Sequence, residues 1–159
     1  WKGNDRAFSE QRYFHAMQTP TPYLNFPGTC EEAFDFYKQV FGGEFDFVGR
    51  FNEMPPDVAV PKGYEEKLMH ISLSVNGRLI LMGSDAPEGF GPPFIAGNNV
   101  HLSLGPETEG EAERLYHALR EGGNVGMELA PTFWAKQFAM VTDRFGINWM
   151  ISYGEPERG

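Results

Sequence analysis

Apolar residues recur at i, i+3, i+4 and i+7 in Glu31 to Gly43 (EEAFDFYKQVFGG), the spacing of one buried helix face. The pattern is written twice. About 80 residues later, Gly110 to Gly123 (GEAERLYHALREGG) places Ala112, Leu115, Tyr116 and Leu119 where the first copy has Ala33, Phe36, Tyr37 and Val40. Each copy ends in a Gly pair, Gly42-Gly43 and Gly122-Gly123, suited to the left-handed backbone that closes a helix. A single repeat of that length predicts two copies of one supersecondary unit rather than a solenoid.

Alternation of apolar and polar residues fills in the rest of each unit. Tyr23–Phe26 predicts a strand, followed by a helix entered at Thr29 or Cys30 with Glu31 and Glu32 in its first turn. Glu44–Phe51 predicts a second strand, and Met54–Gly63, with three prolines, a loop. Leu68–Ser84 reads as a hairpin about Asn76-Gly77. The second unit repeats the order, with strands at Val100–Leu104, Val125–Ala130, Phe133–Thr142 and Ile147–Tyr153 and a helix at Glu109–Glu121. The expected fold class is α+β, with two βαβββ units over 17–84 and 99–159 and a Gly/Pro-rich linker over 85–98. Residues 1–16 read either as an arm docking through Trp1, Phe8, Tyr13 and Phe14 or as a non-native leader, with Met17 the natural start.

Each helix buries its stripe against one face of its sheet, so strand parity separates core from the opposite face. Leu24, Phe26, Ile71, Leu73, Val75, Val100, Leu102, Leu104, Ile147, Trp149 and Ile151 fall to the core. The other parity carries Tyr23, Asn25, His70, Ser72 and Ser74, then Asn99, His101, Ser103, Asn148, Met150 and Ser152. This set is small, uncharged and hydrogen-bonding, which fits the lining of a semi-polar cavity; the alternative is a face covered for structural reasons alone.

Composition narrows the partners. A net charge of −9 with no extended basic run disfavours nucleic acid and anionic membrane surfaces. No apolar run approaches the roughly 20 residues of a membrane span. The single Cys30 excludes an intramolecular disulfide and points to the cytoplasm. At the start of a helix it reads as part of the cap, with a nucleophile role only if a base lies near.

The helix ending DFY…VFGG, the Asn-Gly hairpin before LMGSD, and VTDRFGINWM near the end resemble the vicinal-oxygen-chelate superfamily of glyoxalase, bleomycin-resistance and extradiol-dioxygenase proteins, in its PhnB-like branch. That branch often carries the label 3-demethylubiquinone-9 3-methyltransferase-like. The resemblance spans Thr21 to Tyr153 and implies a curved sheet built from the two units. The methyltransferase label finds no Gly-rich loop after a first strand to hold S-adenosylmethionine. Metal-using members resemble one another in placing His or Glu at four strand positions. Here these fall near Thr21, near Ile80 or Met82, at Asn99 with His101 two residues on, and at Met150. A divalent site needs about three N, S or O ligands, so no metal or other cofactor is expected.

The expected function is binding of a small aromatic or amphipathic molecule in a metal-free cavity lined by Tyr23, Asn25, His70, Asn99, His101, Trp134 and Met150. No catalytic residue is assigned. His101 is the best candidate, as an acid–base or orienting imidazole, against a plain core-facing role satisfied by a hydroxyl. The alternatives are a metal-dependent lyase, isomerase or dioxygenase using His70 and His101, and a metal-free enzyme with His101 as base. Lys136 is either the cation for an anionic ligand or a solvated edge charge. His117 and the Glu107–Glu113 acids read as solvated helix surface, and Gly89–Pro93 is not a phosphate cradle. The exposed sheet edges of such units imply a homodimer.

Overall fold

The computed structural model describes residues 18–156, so the 1–16 arm and its proposed start at Met17 lie outside the described residues. The order of elements is β1 (Tyr23–Phe26), α1 (Cys30–Phe41), β2 (Glu44–Arg50), a 3-10 turn (Phe51–Glu53), β3 (Leu68–Val75), β4 (Arg78–Asp85), β5 (Leu102–Leu104), α2 (Glu109–Arg120), β6 (Asn124–Ala130), β7 (Gln137–Thr142) and β8 (Asn148–Tyr153). Two four-stranded sheets form, ordered β1-β4-β3-β2 and β5-β8-β7-β6. In each, the first strand runs parallel to the last and the remaining pairs are antiparallel, so each sheet is one βαβββ unit.

The expected stripes are the buried ones. Ala33, Phe36, Tyr37 and Val40 of α1 and Ala112, Leu115, Tyr116 and Leu119 of α2 all join one core with Leu24, Phe26, Ile71, Leu73, Trp149 and Ile151. Burying each large side chain contributes about 1.5–3 kcal/mol, enough to fix strand parity. The β3–β4 hairpin turns on Asn76 and Gly77 at φ 52° and 73°, the left-handed pair its two-residue turn requires.

Helix α1 begins at Cys30 with Thr29 as its N-cap, as expected; the Cys30 N–H donates to Asp85 Oδ1 (2.9 Å), and the Thr29 side chain makes no cap bond. Its last helical residue is Phe41, and Gly42 at φ 76° ends it. The strand expected over Val100–Leu104 is only Leu102–Leu104, because the Val100 carbonyl accepts from the Asn148 side chain (3.3 Å) instead of a ladder partner. The strand expected from Phe133 starts at Gln137. Pro131 precedes a turn in which the Ala135 N–H donates to Thr132 Oγ1 (3.1 Å), so Trp134 and Lys136 lie in a loop rather than on a strand. The segment joining the units runs from 86 to 101.

The two units share their core through their helical sides. Tyr37 on α1 packs edge-on against Trp149 of the second sheet, with ring centroids 5.6 Å apart, and Phe41 lies 5.2 Å from the same indole. Arg114 on α2 donates to the Val40 carbonyl at the end of α1 (2.9 Å). Because α1 touches the core faces of both sheets, the two opposite faces point away from this shared core. That arrangement decides where a ligand can sit.

Candidate functional site

Where β1 of the first sheet and β5 of the second approach each other, the 86–101 segment arches over a half-open cleft of about 910 Å³. Leu24, Leu102 and Ile147 line it together with the aromatic residues Tyr23 and Phe145 and the edge of the buried Phe51. The linker itself supplies Phe90, Phe94 and Ile95, all strongly exposed despite being apolar. A Gly/Pro-rich connector with solvent-facing Phe and Ile side chains over a concave surface is the common form of a ligand cleft wall.

Asn148 anchors the linker. Its Nδ2 donates to the carbonyls of Gly97 (2.9 Å) and Val100 (3.3 Å), while its Oδ1 accepts from Thr142 Oγ1 (2.8 Å). The two linker carbonyls, which can only accept, fix the amide with its donors toward the linker. At the cleft's inner end, buried Asp85 accepts from the N–H groups of Cys30 (2.9 Å) and Leu68 (3.0 Å), tying β4 to α1 and β3.

Burial holds the Asp85 carboxyl above its ordinary value of 3.8, against the opposing pull of those N–H groups and of Lys67. An acid with a raised folded pKa binds its proton more tightly when folded. Its stabilisation is therefore present at low pH and is lost as pH climbs from about 3.8 through the raised folded value. The stability advantage of the wild type over Asp85→Asn should shrink across that window, read as urea midpoints at a series of pH values. A difference independent of pH would count against the shift.

Of the seven residues expected to line a cavity, the cleft brings together Tyr23, Asn25 and Asn99; His70, His101, Trp134 and Met150 are not among its lining. His70 lies on the outward face of the first sheet, its Nδ1 3.1 Å from the Tyr23 hydroxyl and its ring between those of Tyr23 and Phe47. Gly49 permits this, since a Cβ there would meet the Phe47 ring at 2.7 Å. Met150 lies in register with Met140 and Ser103 on the outward face of the second sheet. Trp134 packs edge-on against Phe138 of the same sheet (5.2 Å). His101 sits in the segment leading into β5, half-buried. Lys136 and His117 are exposed.

Cys30 is buried at the start of α1, which agrees with the favoured capping role and not with a nucleophile. Burial first, and the charges of Asp85 and Glu31 after it, push its thiol far above the usual range, because a thiolate there would be desolvated beside carboxylates. Of the cleft's lining, the sequence pattern did not point to the linker residues Phe90, Phe94 and Ile95. The only signal was apolar residues within a Gly/Pro segment, which parity rules do not interpret.

A metal does not fit the donor set. The four positions that the resemblance implies fall near Thr21, near Ile80 or Met82, at Asn99 with His101 two residues on, and at Met150, and offer at most one imidazole where a divalent ion needs about three ligands. Among the described residues no group of three His, Cys, Asp or Glu side chains is placed to hold one. His70 and His101 belong to different units, and no carboxylate completes the pair.

Comparison with known proteins agrees with the architecture. The chain is similar to protein YjdN of Escherichia coli, 30% identical over 140 residues that cover 83% of this chain and 92% of the relative. It is also similar to the crystal structure of protein PA1353 from Pseudomonas aeruginosa (39% identity, TM-score 0.77, covering 88% of this chain and 100% of that one). A PhnB protein from Bacillus cereus superposes with a TM-score of 0.71 at 28% identity, over 86% of this chain and 100% of that one. The family model described as Glyoxalase/Bleomycin resistance protein/Dioxygenase superfamily matches residues 22–151, and this PhnB-like chain belongs to that superfamily.

Proposed function

We propose that this protein binds a small aromatic or amphipathic molecule in the cleft beneath its inter-unit linker, without a metal. The observation that carries the reading is the cleft itself: about 910 Å³, walled by rings and by apolar linker side chains, with amide groups of Asn25 and Asn99 on its lining. Pockets that hold small molecules combine this apolar lining with a few polar groups that orient the ligand. The metal-dependent alternative through His70 and His101 has neither a third ligand nor a shared position to support it.

The test is binding of N-phenyl-1-naphthylamine, an uncharged probe that fluoresces in apolar surroundings. The wild type should bind it saturably, and Val100→Trp, at an exposed cleft position, should weaken binding at least about tenfold by filling the space. Undiminished affinity in the variant would place the probe elsewhere and sink the reading. Metal analysis of untagged protein gives an independent check: about one tightly held transition metal per chain would overturn the metal-free assignment.

A homodimer belongs to the same proposal. The outward faces carry Tyr23, Phe47, Met127 and Trp134, each more than two-fifths exposed, and Met127, Met140 and Met150 stand in register across three strands. Exposed methionines and aromatics in such numbers favour a protein partner, and a second copy offers both faces at once. Light scattering should return twice the 17.9 kDa chain mass, and Phe47→Glu together with Met127→Glu should return the monomer. A monomeric wild type at micromolar concentration would count against it. No helix among the described residues is long and apolar enough to cross a membrane.

A further inference from the structure

The chemistry of the ligand follows from which polar groups of the cleft are already engaged. Among the described residues lining it, the ionisable side chains are Tyr23 and Asp85 alone. Tyr23 is paired with His70 (3.1 Å). Asp85 is buried, and its two oxygens accept from the Cys30 and Leu68 N–H groups. The Asn148 amide is engaged at both ends, on Thr142 and on the linker carbonyls. Ser84 Oγ lies 3.4 Å from Asn25 Oδ1. What remains is the Asn25 Nδ2 group and the whole Asn99 amide, for which no hydrogen bond is found among the described residues.

Both amides line the cleft and are exposed, Asn25 on β1 and Asn99 on the linker just before β5. Both are neutral and offer donors as well as acceptors. A charged ligand entering the cleft would lose water and meet no opposite charge free to pair with it, a cost that a neutral hydrogen-bonding group avoids. The chain's net charge of −9 adds a long-range penalty for anions. The rings of Tyr23, Phe90, Phe94 and Phe145 supply apolar contact area for a flat partner.

We infer that the cleft selects uncharged aromatic ligands bearing a carbonyl, amide or hydroxyl group, with Asn25 and Asn99 as the groups that recognise that substituent. The inference rests on the cleft-binding reading above and sharpens it to one ligand class. Asn25 and Asn99 are specificity residues here, and no reaction is assigned to them.

The test compares three ligands of one shape by calorimetry: 2-naphthamide, 2-naphthoate and 2-(aminomethyl)naphthalene at neutral pH, where the last two are ionised. Wild type should bind the amide at least about tenfold more tightly than either ion, the penalty expected for burying an unpaired charge. Asn25→Leu and Asn99→Leu should each weaken amide binding about fivefold, the value of one hydrogen bond, and narrow its advantage over the ions. Naphthoate or the amine binding as tightly as the amide would overturn the ligand class while leaving the cleft as a site. Tight amide binding unaffected by either variant would overturn the roles of Asn25 and Asn99. Failure of all three ligands to bind while N-phenyl-1-naphthylamine still does would overturn this inference and leave the cleft reading standing; failure of that probe as well would overturn both. Val100→Trp run in parallel separates these cases, since it blocks the cleft without touching either amide.

Discussion

Replacing Asp143 with Ala is expected to lower the unfolding free energy by about 4 kcal/mol, among the largest single effects in this chain. Asp143 is buried at 2% exposure in the turn between β7 and β8. Its Oδ1 accepts from the N–H groups of Phe145 (2.8 Å) and Ile147 (3.1 Å), and its Oδ2 from the Tyr37 hydroxyl (2.8 Å) and the Trp149 indole N–H (2.9 Å). Alanine leaves the buried Tyr37 and Trp149 donors and two part-buried N–H groups without partners, the buried ones costing about 1–3 kcal/mol each before any relaxation or entry of water. The two contacts to Oδ2 matter most for the architecture, because Tyr37 belongs to the first unit and Trp149 to the second. Tyr37→Phe removes one of the four bonds and leaves the carboxyl three donors, so about 1 kcal/mol is expected from it. Burial and the adjacent carboxyl both push the Tyr37 phenol well above its ordinary range, so this bond should persist through mildly alkaline pH. Urea unfolding of the two variants measures the difference. Asp143→Ala costing no more than Tyr37→Phe would show that the network contributes little.

Gly43→Ala should be the second severe substitution, at about 3 kcal/mol, against about 1 kcal/mol for Gly42→Ala next to it. Both glycines adopt positive φ, 76° at Gly42 and 84° at Gly43. They differ in surroundings. A Cβ at Gly42 meets nothing within 4 Å, whereas one at Gly43 would overlap the Ser74 carbonyl of β3. A backbone atom in a sheet cannot move aside as a side-chain tip can, so the overlap adds to the left-handed strain. The second unit repeats the overlap without the positive φ: a Cβ at Gly123 would overlap the Thr142 carbonyl of β7. Gly123→Ala should therefore exceed Gly122→Ala, where the nearest neighbour is the Arg144 side chain at 3.4 Å. Thermal unfolding of the four variants tests the pattern, and equal costs within each pair would contradict it.

The paired glycines also mark how far sequence reasoning reached. Their position after each apolar stripe located the ends of both helices to within two residues, because a left-handed residue closes a helix by local geometry. Which member of each pair is indispensable depended on a strand distant in sequence. Strand bounds followed the same division. The Asn76-Gly77 hairpin lay where its two turn residues dictated, while the strand expected at Phe133 did not form until Gln137, because a turn hydrogen bond between Thr132 and Ala135 took precedence.

The candidate site was legible only in part. Tyr23, Asn25 and Asn99 do meet at the cleft, since they flank the edge strands where the units join. His70 and Met150 carry the parity expected of them, but parity says only which side of its own sheet a residue occupies. The polar faces of the two sheets point away from the shared core, so residues assigned to one cavity divide among three places.

The sequence alone determined the repeated βαβββ unit and the core stripe of each helix. Both depend on periodicity and residue chemistry within a short span. Only the tertiary structure decided that the units meet through their helical sides, that Asp143 joins them, and that the linker roofs a cleft. Those outcomes depend on contacts such as Tyr37 with Asp143 and Asn148 with Gly97, between residues 106 and 51 positions apart. No local pattern encodes a contact at that separation; it forms because burying both apolar stripes in one core brings the partners together.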